Sequence, residues 1–241
     1  MDILITGASR GIGRAIAKRF GQDGARILVN YLQNERAAEQ TCEEVRAAGG
    51  EAWAIQGDVR APDALQALAH EAQMRFGGLD ILVHNAAIGA LKPMDQIRVS
   101  QWDLTLESSL RPFWLLTKLV KPLLRPGARV IGITSLGSRQ FTPGYSAMGA
   151  AKAGVEALTR QLAVELAPIR VNTVCGGLVD TDSLAYIPDS ATWGKQVAEA
   201  TPLKRLGTPD DIAGAVAMLC SPDAGWITGQ ILVADGGLSC L

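Results

Sequence analysis

"DILITGASRGIG", residues 2–13, joins a short apolar run to a loop that carries Gly7, Gly11 and Gly13. The run reads as a strand and the segment after the glycines as a helix. Glycines let a backbone turn tightly and approach a pyrophosphate, and a helix amino terminus turns free N–H groups toward it. Gly-x-x-x-Gly-x-Gly alone is a weak signal, but between a strand and a helix it points to a dinucleotide site. Ser9, Arg10 and Ile12 are expected to line that site with the glycines.

Outward from this stretch, six further runs read as strands: "ARILVN" (25–30), "EAWAIQ" (51–56), "LDILVH" (79–84), "ARVIGIT" (128–134), "IRVNTVC" (169–175) and "GQILVA" (229–234). All are apolar almost throughout, as suits parallel strands covered on both faces. Amphipathic stretches such as 35–48, 62–76, 101–124 and 146–167 supply crossover helices, with Pro112 and Pro122 expected to kink or end turns. The pattern predicts an α/β fold, a doubly wound seven-stranded parallel sheet in a single domain over 1–241. One excursion, 181–205, mixes Pro, Ser, Asp and Gly with Leu, Tyr, Ile and Trp. It reads either as a substrate lid or as a surface helical hairpin.

Bulk properties exclude several classes. Of the 241 residues 48% are hydrophobic and 20% charged, and the net charge is −1 without a block of like charges. Neither a nucleic-acid nor a membrane-surface partner is indicated. No window spans a bilayer and no signal peptide precedes the first strand, so a cytoplasmic protein is expected. The four cysteines are scattered and the two histidines stand apart, so no metal site is expected.

Charge also bears on the nucleotide. An acid ending the second strand would accept from the adenosine ribose and repel a 2′-phosphate. Here that strand ends in Asn30 and Tyr31, and Arg10 sits in the glycine loop, which favours NADP(H). Asp58 and Val59 after strand three, and Asn85 after strand four, occupy strand carboxyl ends, where adenine and ribose would bind. The alternative for Asn85 is a bridge between loops, and His84 reads as a satisfied packing residue.

"TGASRGIG" (6–13), "GDV" (57–59), "HNAA" (84–87), "TS" (134–135), "AAKAGVEALTRQLAVEL" (150–166), "RVNTV" (170–174) and "GQILVADGG" (229–237) stand in the order of the short-chain dehydrogenase/reductase family, which the chain resembles over essentially its whole length. The resemblance implies a Rossmann-type fold, a nicotinamide cofactor and a homotetramer. Three departures stand out. With Ser135 on the family's serine, Lys152 falls on its lysine, but the tyrosine position is Met148 and the tyrosine is Tyr145. The fourth-helix asparagine is Ser109. The Pro-Gly after strand six is Gly176-Gly177. "GYSAMGAAKAGVEALTRQLAVEL" and "VNTVCGGLVDTDSL" resemble the family's enoyl-thioester reductase branch. By that resemblance Gly177, Val179 and Thr181 would lie near the cofactor.

On a helix, residues seven apart lie within about 20° of one face, so Tyr145, Met148 and Lys152 can share a cleft. Moving the phenol from 148 to 145 shifts it about 4.5 Å along the axis, should the helix reach that far. Ketone reduction needs its acid beside the hydride-accepting carbon. Reduction of an enoyl thioester develops charge on an oxygen two carbons farther away, and wants a more distant donor. The catalytic set is therefore read as Tyr145, holding the enolate oxygen of a thioester on acyl carrier protein or CoA; Lys152, binding ribose and favouring an ionised or strongly donating phenol; and Ser135, which either places substrate or keeps an inherited position. Met148 is read as a wall of the acyl pocket, and Ala150, Ala151, Ala153 and Gly154 as room for the cofactor. The rival readings are a 3-oxoacyl or other ketone reductase and an inactive NADP(H)-binding regulatory protein. Trp102 and Trp114 read as core or subunit contact.

Overall fold

The computed structural model describes residues 1–182, 184 and 190–241. Its first half runs β1 (Asp2–Ile5), α1 (Gly11–Gly21), β2 (Arg26–Tyr31), α2 (Glu35–Ala47), β3 (Glu51–Gln56), α3 (Pro62–Phe76) and β4 (Leu79–His84). The second half runs α4 (Val99–Ser109), α5 (Arg111–Val120), β5 (Leu124–Ser135), α6 (Ser146–Glu165), β6 (Arg170–Gly176), α7 (Ser190–Ala200), α8 (Pro209–Cys220) and β7 (Ile231–Ala234).

All seven strands are parallel in the order β3-β2-β1-β4-β5-β6-β7. Side chains alternate across each strand. Ile3, Ile5, Ile27, Val29, Ile81 and Val83 pack under α1, α2 and α8, whereas Leu4, Leu28, Leu82 and Val130 pack under α3, α5 and α6. Two helical layers therefore cover one sheet, which is why the strands are apolar on both faces. The winding reverses between β1 and β4, and that crevice receives ligands in doubly wound sheets.

Local chemistry sets the helix ends. The Asn34 side chain accepts from the Ala37 N–H at 3.0 Å to start α2, and Thr208 forms a capping box with Asp211 ahead of α8. Gly77, at φ 69°, closes α3. The expected helix over 101–124 is two helices. Pro112 has no N–H to continue the first and is favoured in the opening turn of the next, so the chain breaks at Leu110. Trp102 and Trp114 consequently lie on separate helices, and both are exposed.

Within the expected lid, α7 is helical, while Ser183 and residues 185–189 lie outside the described residues. Among the described residues no helix is long and apolar enough to cross a membrane. Cys42, Cys175 and Cys220 are buried free thiols, and Cys240 is exposed.

Candidate active site

The glycine loop is shaped by close approach. Gly7, at φ 63°, lies so near Ala86 that a Cβ would come within 2.9 Å of its Cα, and a Cβ on Gly13 would stand 2.5 Å from the Gly7 carbonyl. Arg10 is extended ahead of α1, and no acid occupies that helix's first turn. This is the cradle a pyrophosphate needs: bare backbone at a helix amino terminus, at the switch point. The Arg10 side chain is exposed and has no hydrogen-bond or ion-pair partner among the described residues. Thr181 faces the loop, its Cγ2 3.6 Å from a Cβ built on Gly11. The loop therefore fits a dinucleotide. Ser9 is held from behind, its carbonyl accepting from Arg14 at 2.7 Å and from Thr41 at 3.3 Å, while Ile12 packs against the core.

Other expected cofactor residues also make contacts within the protein. Asn30 is buried: its Oδ1 accepts from the Gly7 N–H at 3.2 Å, and its Nδ2 donates to the Gly57 carbonyl at 3.0 Å. It ties β2 to the phosphate loop. Tyr31 belongs to the core. Asn85 is the bridge that the sequence left open, donating to the Thr6 and Gly7 carbonyls at 3.1 and 2.9 Å. The Asp58 carboxylate is clasped by Arg60, which holds its pKa below the usual value, and Val59 is buried behind it. Gly177 is dictated by packing, since a Cβ would come within 2.9 Å of the Asp235 backbone. Val179 bridges to Gly207.

At the other end of the crevice, Tyr145 immediately precedes α6, and its hydroxyl meets Ser135 Oγ at 2.8 Å. The phenol ring crosses Gly137, where a methyl would overlap ring carbon Cδ1, and Gly149 brings α6 within a Cβ's reach, 2.6 Å, of the Gly137 carbonyl. Glycines at 137 and 149 thus make the slot for the displaced phenol. Met148, expected as a wall of an acyl pocket, is not among the residues lining the open cavity beside Tyr145. It is buried, its sulfur 3.8 Å from Ser109 Oγ and its methyl in the space left by Gly89. Gly154 likewise admits protein, making room for Leu110. An open cavity of about 520 Å³ has Tyr145, Gly149, Phe141 and Pro93 among its lining residues, with Lys92 as its one charged member.

Lys152 is buried and donates to the Ile133 carbonyl at 2.8 Å. Burial pulls its pKa down to about 8. Of the two states expected for the phenol, ionised or strongly donating, the surroundings suit the second: burial raises the Tyr145 pKa, opposed by the Ser135 hydrogen bond. Tyr145 is a neutral O–H donor. His84 is only half satisfied: Nε2–H donates to the Ser109 carbonyl at 3.1 Å, while Nδ1 is buried and has no partner among the described residues.

The sequence assigns no role to Glu156, Ser138 or Arg139. Glu156 accepts from Ser138 Oγ at 2.6 Å and Arg139 Nε at 2.9 Å, holding the turn after β5 to α6. The available signal was a lone carboxylate four residues after Lys152, on the same helical face.

Burial, and secondarily the Lys152 charge, lowers the His84 pKa to about 4 from an ordinary 6.5. The unfolded chain therefore binds a proton between those values that the folded one refuses, and stability falls as pH drops through that window. The expected loss is on the order of 3 kcal/mol. Urea unfolding at pH 6.8 and 4.3 should show a drop in the parent that His84→Asn lessens by about that amount. Equal drops would show that His84 protonation is not responsible.

Comparison with known proteins agrees with this geometry. The family profile described as "Enoyl-(Acyl carrier protein) reductase" matches residues 7–239. The chain is 41% identical to the 1-cyclohexenylcarbonyl-CoA reductase of Streptomyces collinus over 98% of its own length and 86% of the relative's. It is 37% identical to a 3-oxoacyl-(acyl-carrier-protein) reductase of Staphylococcus epidermidis, covering 98% and 97% of the two chains. A solved short-chain dehydrogenase/reductase from Serratia marcescens superposes with a TM-score of 0.93 at 34% identity, over 99% and 97% of the respective chains. With a seven-stranded doubly wound sheet, a glycine-built dinucleotide cradle and Ser135, Tyr145 and Lys152 around one crevice, this chain belongs to the short-chain dehydrogenase/reductase family of oxidoreductases.

Proposed function

We propose that the protein reduces the α,β double bond of an enoyl thioester, carried on CoA or acyl carrier protein, with NADPH. The observation that carries this reading is the pairing of a displaced phenol with a filled gap. Tyr145 enters from just before α6, while the place where the family keeps its tyrosine holds Met148, turned into the protein against Ser109 and Gly89. No acid of α6 stands at the usual place. The names of the Streptomyces relative and of the family profile support the same substrate class.

Bound NADPH would supply the hydride. As charge gathers on the thioester oxygen, the Tyr145 O–H, which rests on Ser135 in the free protein, would turn to that oxygen and hydrogen-bond it. One well-aimed donor of this kind is worth about 3 kcal/mol. Its raised pKa keeps the proton in place for that task. Lys152 spends one N–H on Ile133, and its other donors would hold the cofactor's ribose. Arg10 would take the 2′-phosphate, since no acid ends β2. Tyr145 would stabilise charge and keep its own proton, and the enolate would take a proton from solvent water at its α-carbon to complete the reduction.

A second reading, 3-oxoacyl thioester reduction, is favoured by the 2.8 Å approach of the phenol to Ser135 and by the Staphylococcus relative. We also propose a cytoplasmic homotetramer. Trp102 on α4, Trp114 on α5, Val164 on α6 and a fully exposed Trp226 before a half-buried β7 support subunit contacts.

Three outcomes are expected. Loss of NADPH absorbance should occur with crotonyl thioesters and be slow with acetoacetyl thioesters, and Tyr145→Phe should lower kcat about a hundredfold while cofactor affinity holds; turnover confined to the oxo substrate refutes the assignment. Arg10→Ala should raise the KM for NADPH at least about tenfold and leave that for NADH unchanged; equal effects on both would remove its phosphate role. Static light scattering should return about four times the 25.4 kDa chain mass, and a monomer mass would contradict the assembly.

A further inference from the structure

Glu156 is a carboxylate at a core-facing position of α6, one turn beyond Lys152, and only 6% exposed. Burying a carboxylate is costly unless it is well paired, and an alanine in its place would suit the helix better. Its partners explain its presence. Oε1 accepts from Ser138 Oγ and Oε2 from Arg139 Nε, with Thr134 Oγ1 3.4 Å from Oε1. Ser138 Oγ also lies 2.8 Å from the Ser135 carbonyl. Every one of these contacts lands on the segment from Thr134 to Arg139.

That segment is the bed of the phenol. Ser135 meets the Tyr145 hydroxyl, and Gly137 underlies the ring with no room for even a methyl group. Tyr145 itself precedes the first turn of α6 and caps the helix with no side-chain hydrogen bond, so helix geometry alone does not set the phenol's direction. What aims it is the turn after β5, and what holds that turn to α6 is Glu156.

We propose that Glu156, through Ser138 and Arg139, is the positioning residue that fixes the 135–139 turn and thereby the aim of Tyr145. This rests on the reading of Tyr145 as the oxyanion donor. It does not depend on whether the preferred thioester is enoyl or 3-oxo.

The test uses the whole protein and whichever thioester the parent reduces. Glu156→Gln should lower kcat about tenfold or more, because small misplacements of a catalytic group are expensive. The KM for NADPH should stay within about twofold. In a Tyr145→Phe background the same substitution should change kcat by less than about twofold, since the hydroxyl it aims is gone. Arg139→Lys, which keeps the charge, should retain more activity than Arg139→Ala. A parent-like kcat in Glu156→Gln overturns the proposal, as does an equal fold-loss in both backgrounds, the mark of a merely structural role. If Tyr145→Phe itself is fully active, the reading of Tyr145 falls and this proposal with it. If Tyr145→Phe is impaired and Glu156→Gln is not, only the role of Glu156 is lost.

Discussion

Parallel strands cannot be joined by tight turns, so each connection must cross the sheet and every strand ends at the same edge. The rest of this molecule follows from that constraint. Thr6, Asn30, Asp58, Asn85, Ser135 and Gly177 are far apart in sequence, yet all stand at or just beyond a strand's carboxyl end. The reversal between β1 and β4 opens the edge into a crevice. Side chains whose reach is spent on neighbouring loops then stiffen it: Asn85 ties β4 to β1, and Asn30 ties β2 to the phosphate loop and to Gly57.

Within that frame the reactive end is governed by space more than by charge. Gly137 and Gly149 clear a slot for one aromatic ring, and Gly89 clears a pocket for one thioether. Lys152 is buried and Tyr145 partly so, and desolvation dominates both pKa shifts, lowering the ammonium and raising the phenol. A neutral phenol beside Ser135 and a lysine turned to the Ile133 carbonyl give a site that donates hydrogen bonds without a free anion.

The strands, the glycine loop and the lysine helix were legible because they rest on local rules, namely apolar runs, glycine spacing and a strand–loop–helix order. The break at Leu110 was half legible, since Pro112 announced an interruption but not where a second helix would begin. The role of Asn30 was not legible. A polar residue ending a strand reads as ligand-facing, and only the three-dimensional closeness of Gly7 and Gly57 reveals that its amide is consumed by the protein. For Met148, helical periodicity gives a face but not what packs on it. Glu156 is silent in the sequence because its partners precede it by 17 and 18 residues, across a loop with no periodic signal.

The seating of Met148 has a consequence for the ancestry of such sites. Placing a tyrosine at 148 would not by itself recreate the family's usual arrangement, for the incoming ring would need the volume that Gly89 yields to a slim thioether, while the Tyr145 phenol still occupied its groove. Intermediate sequences would carry either two competing aromatics or an empty hollow. The two layouts are thus separated by several simultaneous changes of side-chain bulk.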